Sequence, residues 1–189
     1  MKTIEELEIY AKENYIPIAR RDMVSFLKQL VIDNNFKSVL EIGAAIGYTT
    51  IQLAELSDVH VTTYEYWPPR IEICKENIVD FGLQDKITFY DYDCMSKPIN
   101  ELYDLIFIDG AKKKTIQLFE FLKNNIKDNG IIIVDNIDLE IVNQIELVNK
   151  KKKYQRIVEE TKEYFKSVPG YKVEYKHIGD GIYYITKEK

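Results

Sequence analysis

Ser38-Val-Leu-Glu-Ile-Gly-Ala-Ala-Ile-Gly47 decides how the rest of the chain is read. The run Ser38–Ile42 is short and apolar, and it ends in a turn that carries two glycines. The residues beyond it, through Ile51, Leu53 and Leu56, have helical spacing. Strand, tight turn and helix in that order open a doubly wound α/β sheet. Gly43 and Gly47 allow the backbone to turn sharply and to approach a ligand closely. The stretch is not G-x-G-x-x-G, and no Gly-Lys-Ser/Thr follows, so neither a dinucleotide fingerprint nor a phosphate loop is present. Taken by itself, the turn is equally well a plain strand-to-helix connection.

Working outward, the same alternation continues. Val59–Glu65, Lys86–Asp91, Leu105–Asp109 and Gly130–Asp135 read as further strands, and Leu105–Asp109 is almost wholly apolar, as a buried parallel strand should be. A helix opened by Pro68 runs to Phe81, with Gly82 closing it. Further helices are expected over Ile116–Ile126 and Tyr154–Phe165. Tyr171–His177 and Gly181–Thr186, around Gly179-Asp180-Gly181, read as a β-hairpin. Upstream, Thr3-x-x-Glu6 is a capping box opening a first helix to about Asn14, and Pro17 separates it from a second helix with Met23, Phe26, Leu27, Leu30 and Val31 on one face. The expectation is one domain over residues 1–189. It is an α/β, Rossmann-like, seven-stranded and mostly parallel sheet with a C-terminal antiparallel hairpin, and residues 1–33 form N-terminal helices covering the core.

Ligands of such a sheet bind at the carboxyl ends of its parallel strands. Those ends carry Glu41, Glu65, the pair Asp91 and Asp93, Asp109, and Asp135-Asn136. Any one of these acids is explained by a helix cap. Acids or amides at all five ends would repel one another in a fold that binds nothing there. Glu65 suits a ribose diol.

Composition narrows the class. The chain has 189 residues, 46% hydrophobic and 30% charged, with net charge −5. Residues 1–110 hold 10 basic and 19 acidic side chains, net −9, and residues 111–189 hold 16 and 12, net +4. A whole-chain basic signature for nucleic acid is absent, while a basic face in the second half stays open. No apolar run approaches the roughly 20 residues of a membrane span, and Met1-Lys2-Thr3-Ile4-Glu5-Glu6 has no apolar signal core. Cys74 and Cys94 make no disulfide framework or metal cluster. A reduced, cytoplasmic protein with no membrane partner is expected. Ile4, Leu7 and Ile9 on the first helix want cover, which suggests a homodimer. His60 and His177 are isolated and read as structural or surface groups.

In order and spacing, Glu41-Ile-Gly-Ala-Ala-Ile-Gly47-Tyr-Thr, Thr63-Tyr-Glu65, Phe107-Ile-Asp109-Gly-Ala-Lys112, Ile133-Val-Asp135-Asn136 and Gly179-Asp180-Gly181 resemble the metal-dependent class I S-adenosylmethionine O-methyltransferases. That family includes catechol and caffeoyl-CoA methyltransferases and the bacterial tRNA 5-hydroxyuridine methyltransferase. The resemblance runs from about Ala11 to Thr186, and Ile16-Pro17-Ile18 with the short length looks most like the tRNA branch. It implies S-adenosylmethionine as cofactor, with Glu41, Gly43, Gly47 and Thr49 on the methionine side and Glu65 on the ribose hydroxyls. Tyr66 would lie against the adenine, and Asp93 and Cys94 at its edge. It implies Mg²⁺ or another divalent cation on Asp109, Asp135 and Asn136, with Asp109 also bordering the cofactor, and Lys112 as the base at the acceptor hydroxyl. Three oxygen ligands suit Mg²⁺, which keeps positions for water and substrate and acts as a Lewis acid. An acceptor with two adjacent oxygens chelates best.

Three positions depart from the family pattern. Tyr92 stands where relatives commonly have Gly, the stretch near Ile141 lacks a usual Gly, and Lys162 replaces a frequent Asn. The acceptor reading favoured here is 5-hydroxyuridine in a tRNA anticodon loop, with Lys112–Lys114 and Lys150–Lys153 contacting phosphates. A small-molecule catechol-type enzyme and a non-catalytic nucleotide-binding module are the alternatives.

Overall fold

In a computed structural model, which describes residues 2–110, 112–137 and 148–188, the alternation of strands and helices is carried through. The strands form a seven-stranded sheet, mostly parallel with antiparallel strands at the C-terminus, as the sequence predicts. Contacts divide the chain into two compact units that meet at Ile99 and Asn100.

The first unit contains α1 (Ile4–Glu13), α2 (Arg21–Asp33), β1 (Ser38–Ile42), α3 (Tyr48–Ala54), β2 (His60–Tyr64), α4 (Pro68–Asp80) and β3 (Ile87–Tyr90). β2 pairs in parallel with β1 on one side and β3 on the other. The capping box on α1 forms as expected, with the Thr3 hydroxyl accepting from the Glu6 amide and the Glu6 carboxylate accepting from the Thr3 amide. A cap of this kind is worth about 1 kcal/mol. Leu7 is fully buried within the chain, Ile4 is half-buried, and only Ile9 of the three apolar residues assigned to a dimer contact is exposed. The need for an outside partner at Leu7 is therefore corrected: its own unit covers it.

The second unit contains β4 (Tyr103–Ile108), α5 (Thr115–Leu122), β5 (Ile126–Val134), α6 (Val148–Tyr164), β6 (Tyr171–Lys176) and β7 (Ile182–Lys187). β4 and β5 are parallel, β7 runs antiparallel to β5, and β6 runs antiparallel to β7. Leu105, Ile106, Phe107, Ile132, Ile133 and Val134 are all buried, which is why both strands are continuous apolar runs. Three expected boundaries shift. The helix expected over Ile116–Ile126 is α5 and ends at Leu122, because a 3-10 turn over Lys123–Asn125 leads directly into β5 at Ile126. β5 begins at Ile126 and not at Gly130: Ile126 pairs with Tyr103 and Ile131 with Leu105, so the polar residues between them are taken up in a register shift, where Lys127 also pairs with Asp104 at 2.9 Å. α6 begins at Val148 and takes in the lysine run that precedes Tyr154. Ile141 lies outside the described residues.

Among the described residues no helix is long and apolar enough to cross a membrane.

Candidate functional site

In the first unit the candidate residues cluster at the turn after β1. Gly43, Ala45 and Gly47 have φ of 103°, 50° and 86°, so three of five residues sit in the left-handed region. At Gly47 a side chain would also meet the Cys74 sulfur at 3.2 Å. Ala45 pays for its conformation with strain of about 1–2 kcal/mol. The surroundings fix it there. The Gly43 and Ala44 amides donate to the Tyr64 carbonyl at 2.9 and 3.1 Å, and the Ala45 amide donates to Oε2 of Glu65 at 3.0 Å. From α4, the Asn77 amide donates to the Ile46 carbonyl at 2.7 Å. From α1, Glu8 accepts the Tyr48 hydroxyl at 2.5 Å and a bidentate contact from Arg21, and those two partners hold its carboxyl below the usual range.

Glu65 follows β2, as the sequence places it. Its two oxygens are already engaged by backbone donors, Oε2 by Ala45 and Oε1 by the Trp67 amide at 2.8 Å. It is buried, while Tyr66 beside it is 51% exposed, so the acid is fixed and an aromatic face is open next to it. Asp93 accepts from the Met95 amide at 3.1 Å and caps a short 3-10 turn in which Cys94 is buried. Thr49 lies buried in the first turn of α3. Tyr92 packs edge-on to Tyr64 and against Tyr90, with the Lys97 ammonium over its ring, so the residue that replaces a glycine is absorbed into an aromatic cluster.

Glu41 sits differently from its neighbours. It is buried, and the Thr50 and Thr63 hydroxyls both donate to its Oε2. Burial pushes its carboxyl up to about 7, against the pull of those two donors. The folded value lies above the ordinary 4.5, so Glu41's contribution to stability is complete below about pH 4.5 and is lost as pH rises through 7. The cost amounts to about 3 kcal/mol by linkage. Glu41→Gln is therefore expected to flatten the dependence of urea midpoints on pH between 4.5 and 8. An unchanged slope would show that Glu41 is ionised and solvated in the folded chain.

The second unit gathers the remaining candidates at the ends of β4 and β5. Asp109 follows β4 and Asp135-Asn136 follows β5, and the Asp135 amide continues the ladder to the Ile108 carbonyl at 3.1 Å. Asn136 has φ 64°, a conformation its short polar side chain tolerates. Its amide nitrogen donates to Oδ1 of Asp109 at 3.1 Å, and its backbone amide donates to Asp135 at 2.6 Å. The expected metal set is thus brought together as two carboxylates and an amide, and its oxygens are the ligand type a hard divalent cation takes. Among the described residues no group of three His, Cys, Asp or Glu side chains is placed to hold a metal ion, so the candidate set rests on two carboxylates with the Asn136 amide.

Lys112 lies in the short turn before α5. Its Nζ is buried and has no hydrogen-bond partner among the described residues. It borders a small cavity lined also by Thr115, Asn136, Ile137, Ile157, Val158 and Thr161. Burial lowers its pKa, and Asp180, Asp135 and Asp109 push it the other way. In the sequence Asp180 stands in a hairpin turn and in the Gly179-Asp180-Gly181 motif of the family resemblance, with no role at the site assigned to it. The turn is tied to the site because the Ile137 amide donates to the Gly181 carbonyl at 3.0 Å. The sequence signal was the Gly-Asp-Gly spacing, since two left-handed glycines, Gly179 and Gly181, fix where the acid stands. His60 lies 2.8 Å from the Thr88 hydroxyl and His177 lies 3.3 Å from the Tyr175 hydroxyl, both at exposed positions.

Comparison with known proteins identifies the family and the fold. Residues 1–188 match the family model described as O-methyltransferase. Catechol O-methyltransferase of Mycobacterium tuberculosis is 28% identical over 106 residues, 53% of this chain and 48% of that protein. A candidate caffeoyl-CoA O-methyltransferase of Arabidopsis thaliana is 32% identical over 119 residues, 59% and 51% of the two chains. The matches span about half the length of these relatives. The crystal structure of a candidate caffeoyl-CoA O-methyltransferase from Staphylococcus aureus superposes with a TM-score of 0.88 at 30% identity, over 100% of this chain and 93% of that one. An O-methyltransferase from Bacillus cereus in complex with S-adenosylhomocysteine shares the fold, with a TM-score of 0.79 at 22% identity over 100% and 92% of the two chains.

Proposed function

The chain belongs to the O-methyltransferase family, and from that premise we propose that it transfers a methyl group from S-adenosylmethionine to a hydroxyl of an acceptor carrying two adjacent oxygens. The observation that carries this reading is Lys112, a buried amine without a hydrogen-bond partner among the described residues, set close to Asp109, Asp135 and Asp180. Burial lowers the pKa of this amine, which brings it nearer the range in which a side chain can take a proton from a hydroxyl.

In the first unit, Glu65 would hold the ribose hydroxyls, and the turn from Gly43 to Gly47 would let the backbone approach the cofactor. The left-handed glycines and the preset Glu65 carboxylate fit that role. In the second unit, Asp109, Asp135 and Asn136 would hold a divalent cation. Such a cation supplies Lewis acidity that makes an acceptor hydroxyl easier to deprotonate. Lys112 would accept the proton, and Asp180 and the carboxylates near it would stabilise the ammonium so formed.

Two acceptor classes follow, each with an observation in its favour. The named relatives act on catechol and caffeoyl-CoA type acceptors by their descriptions. The basic face of α6 favours RNA: Lys152 and Lys153 are exposed, and the Lys113 ammonium lies over the Tyr154 ring. 5-Hydroxyuridine in an anticodon loop combines an adjacent oxygen pair with flanking phosphates. Incubation with labelled S-adenosylmethionine and either hydroxylated tRNA or catechol separates the two. On the RNA reading, Lys152→Ala with Lys153→Ala weakens tRNA binding and lowers its salt dependence by about 0.7 in log–log slope per lost contact, with catechol turnover unchanged. Labelling of catechol alone would assign the small-molecule class.

A further inference from the structure

A cation stands at the wrong end of α4. The helix opens with Pro68-Pro69-Arg70, has no acidic residue in its first turn, and its N-cap Trp67 supplies no side-chain cap. A positive charge in the first turn opposes the helix dipole. Arg70 is nevertheless only about one-fifth exposed, and its Nε is buried with no hydrogen-bond partner among the described residues. A local rule broken at this cost marks a place where something other than helix stability is being served.

The surroundings indicate what that is. The Arg70 guanidinium lies 4.5 Å over the Trp67 ring, and one of its terminal nitrogens is 4.0 Å from Oε2 of Glu65. The backbone amide of the same Trp67 donates to the other oxygen of Glu65. Trp67 thus holds the carboxylate through its backbone and the guanidinium through its ring. The Arg70–Glu65 distance is that of an ion pair without a hydrogen bond, and the same Oε2 also accepts from Ala45. Glu65 is gripped from three sides, and its remaining lone pairs are left for a ligand.

We propose that Arg70, stacked on Trp67, is a positioning residue that fixes Glu65 for recognition of the cofactor's ribose hydroxyls and so sets discrimination for an intact ribose. The inference rests on the cofactor reading given above. Arg70 itself touches no ribose oxygen; it acts through Glu65. Trp67, half exposed, keeps the guanidinium in plane and shields it on one side from water, which strengthens its interaction with the carboxylate.

The test is calorimetric titration of the full chain with two ligands, S-adenosylhomocysteine and its analogue lacking the 2′ and 3′ hydroxyls. The unmodified chain should prefer the intact ribose. Arg70→Met should weaken S-adenosylhomocysteine about tenfold, the scale of one charged interaction, and leave the dideoxy analogue unchanged. Arg70→Lys keeps the charge and loses the planar stack, so it should fall between, and Trp67→Leu should reproduce part of the loss even if Arg70→Met folds poorly. Equal weakening of both ligands would mean that Arg70 acts elsewhere than at the ribose, and unchanged affinity would remove its role; either overturns the assignment while leaving the cofactor reading intact. Failure of the unmodified chain to bind S-adenosylhomocysteine would overturn the cofactor reading and this assignment with it.

Discussion

Asp135→Ala is expected to reduce methyl transfer by at least about a thousandfold, the scale of losing several kcal/mol of Lewis-acid stabilisation, while S-adenosylhomocysteine still binds. The argument is local. Asp135 and Asn136 follow a strand whose residues Ile131–Val134 are buried, and the Asp135 amide stays on the ladder. The strand therefore holds its end in place when the carboxylate is removed, so the loss falls on the reaction and not on the fold. The Asp135 carboxylate also accepts the Asn136 amide and so helps to hold Asn136 at φ 64°. Removing it should loosen two candidate ligands at once. Asp135→Asn, which retains an acceptor for that amide, should recover the backbone geometry but only a small part of the rate. Measurement of turnover beside calorimetric binding of S-adenosylhomocysteine checks this. A proportionate loss of cofactor binding would place Asp135 in the cofactor site.

Lys112→Met is the second large effect. General-base contributions run to about 10²–10⁴ in rate, and kcat should fall within that range at neutral pH. Methionine fills nearly the same volume, so the cavity lined by Thr115, Ile157, Val158 and Thr161 stays covered, and the variant should fold. A buried amine left without a hydrogen-bond partner among the described residues is a destabilising feature in the parent chain, so the variant should be at least as stable in urea. A rate loss together with an unchanged or higher midpoint separates a chemical role from a structural one. Lys112→Arg should not restore the rate, because a guanidinium stays protonated. Full activity in Lys112→Met would assign proton removal to another group or to solvent.

The fold was legible in the sequence where apolar period and turn chemistry agreed. β1, β4 and the C-terminal hairpin stand within two residues of expectation, since each is bounded by glycine, aspartate or a polar turn. β5 was read four residues short because Lys127, Asp128 and Asn129 look like a loop; they lie in a register shift between the paired Ile126 and Ile131, which no apolar period signals. The start of α6 was missed because four consecutive lysines carry no apolar period.

The candidate site was legible as residue types at strand ends, and less so as geometry. Asp109 and Asn136 were expected to meet and do, at 3.1 Å. Asp93 is bound in a cap, which a strand-end acid does with or without a ligand. Glu41 looked like its neighbours in sequence, yet it faces two buried hydroxyls, because Thr50 and Thr63 are brought to it from α3 and β2. Arg70 escaped notice for a related reason, since it lies 5 residues beyond Glu65 and that spacing forms no motif. Asp180 stood in the Gly-Asp-Gly motif, but its place 68 residues beyond Lys112 hid its approach to that amine.

The central claim is methyl transfer that depends on the oxygen ligands after β4 and β5. It is tested most directly by the rate of methyl transfer from labelled S-adenosylmethionine as free divalent cation is varied, with an adjacent-oxygen acceptor present in excess. The account predicts that product formation vanishes in excess chelator, returns with added Mg²⁺, and fails to return for Asp135→Ala. An undiminished rate in excess chelator would contradict it.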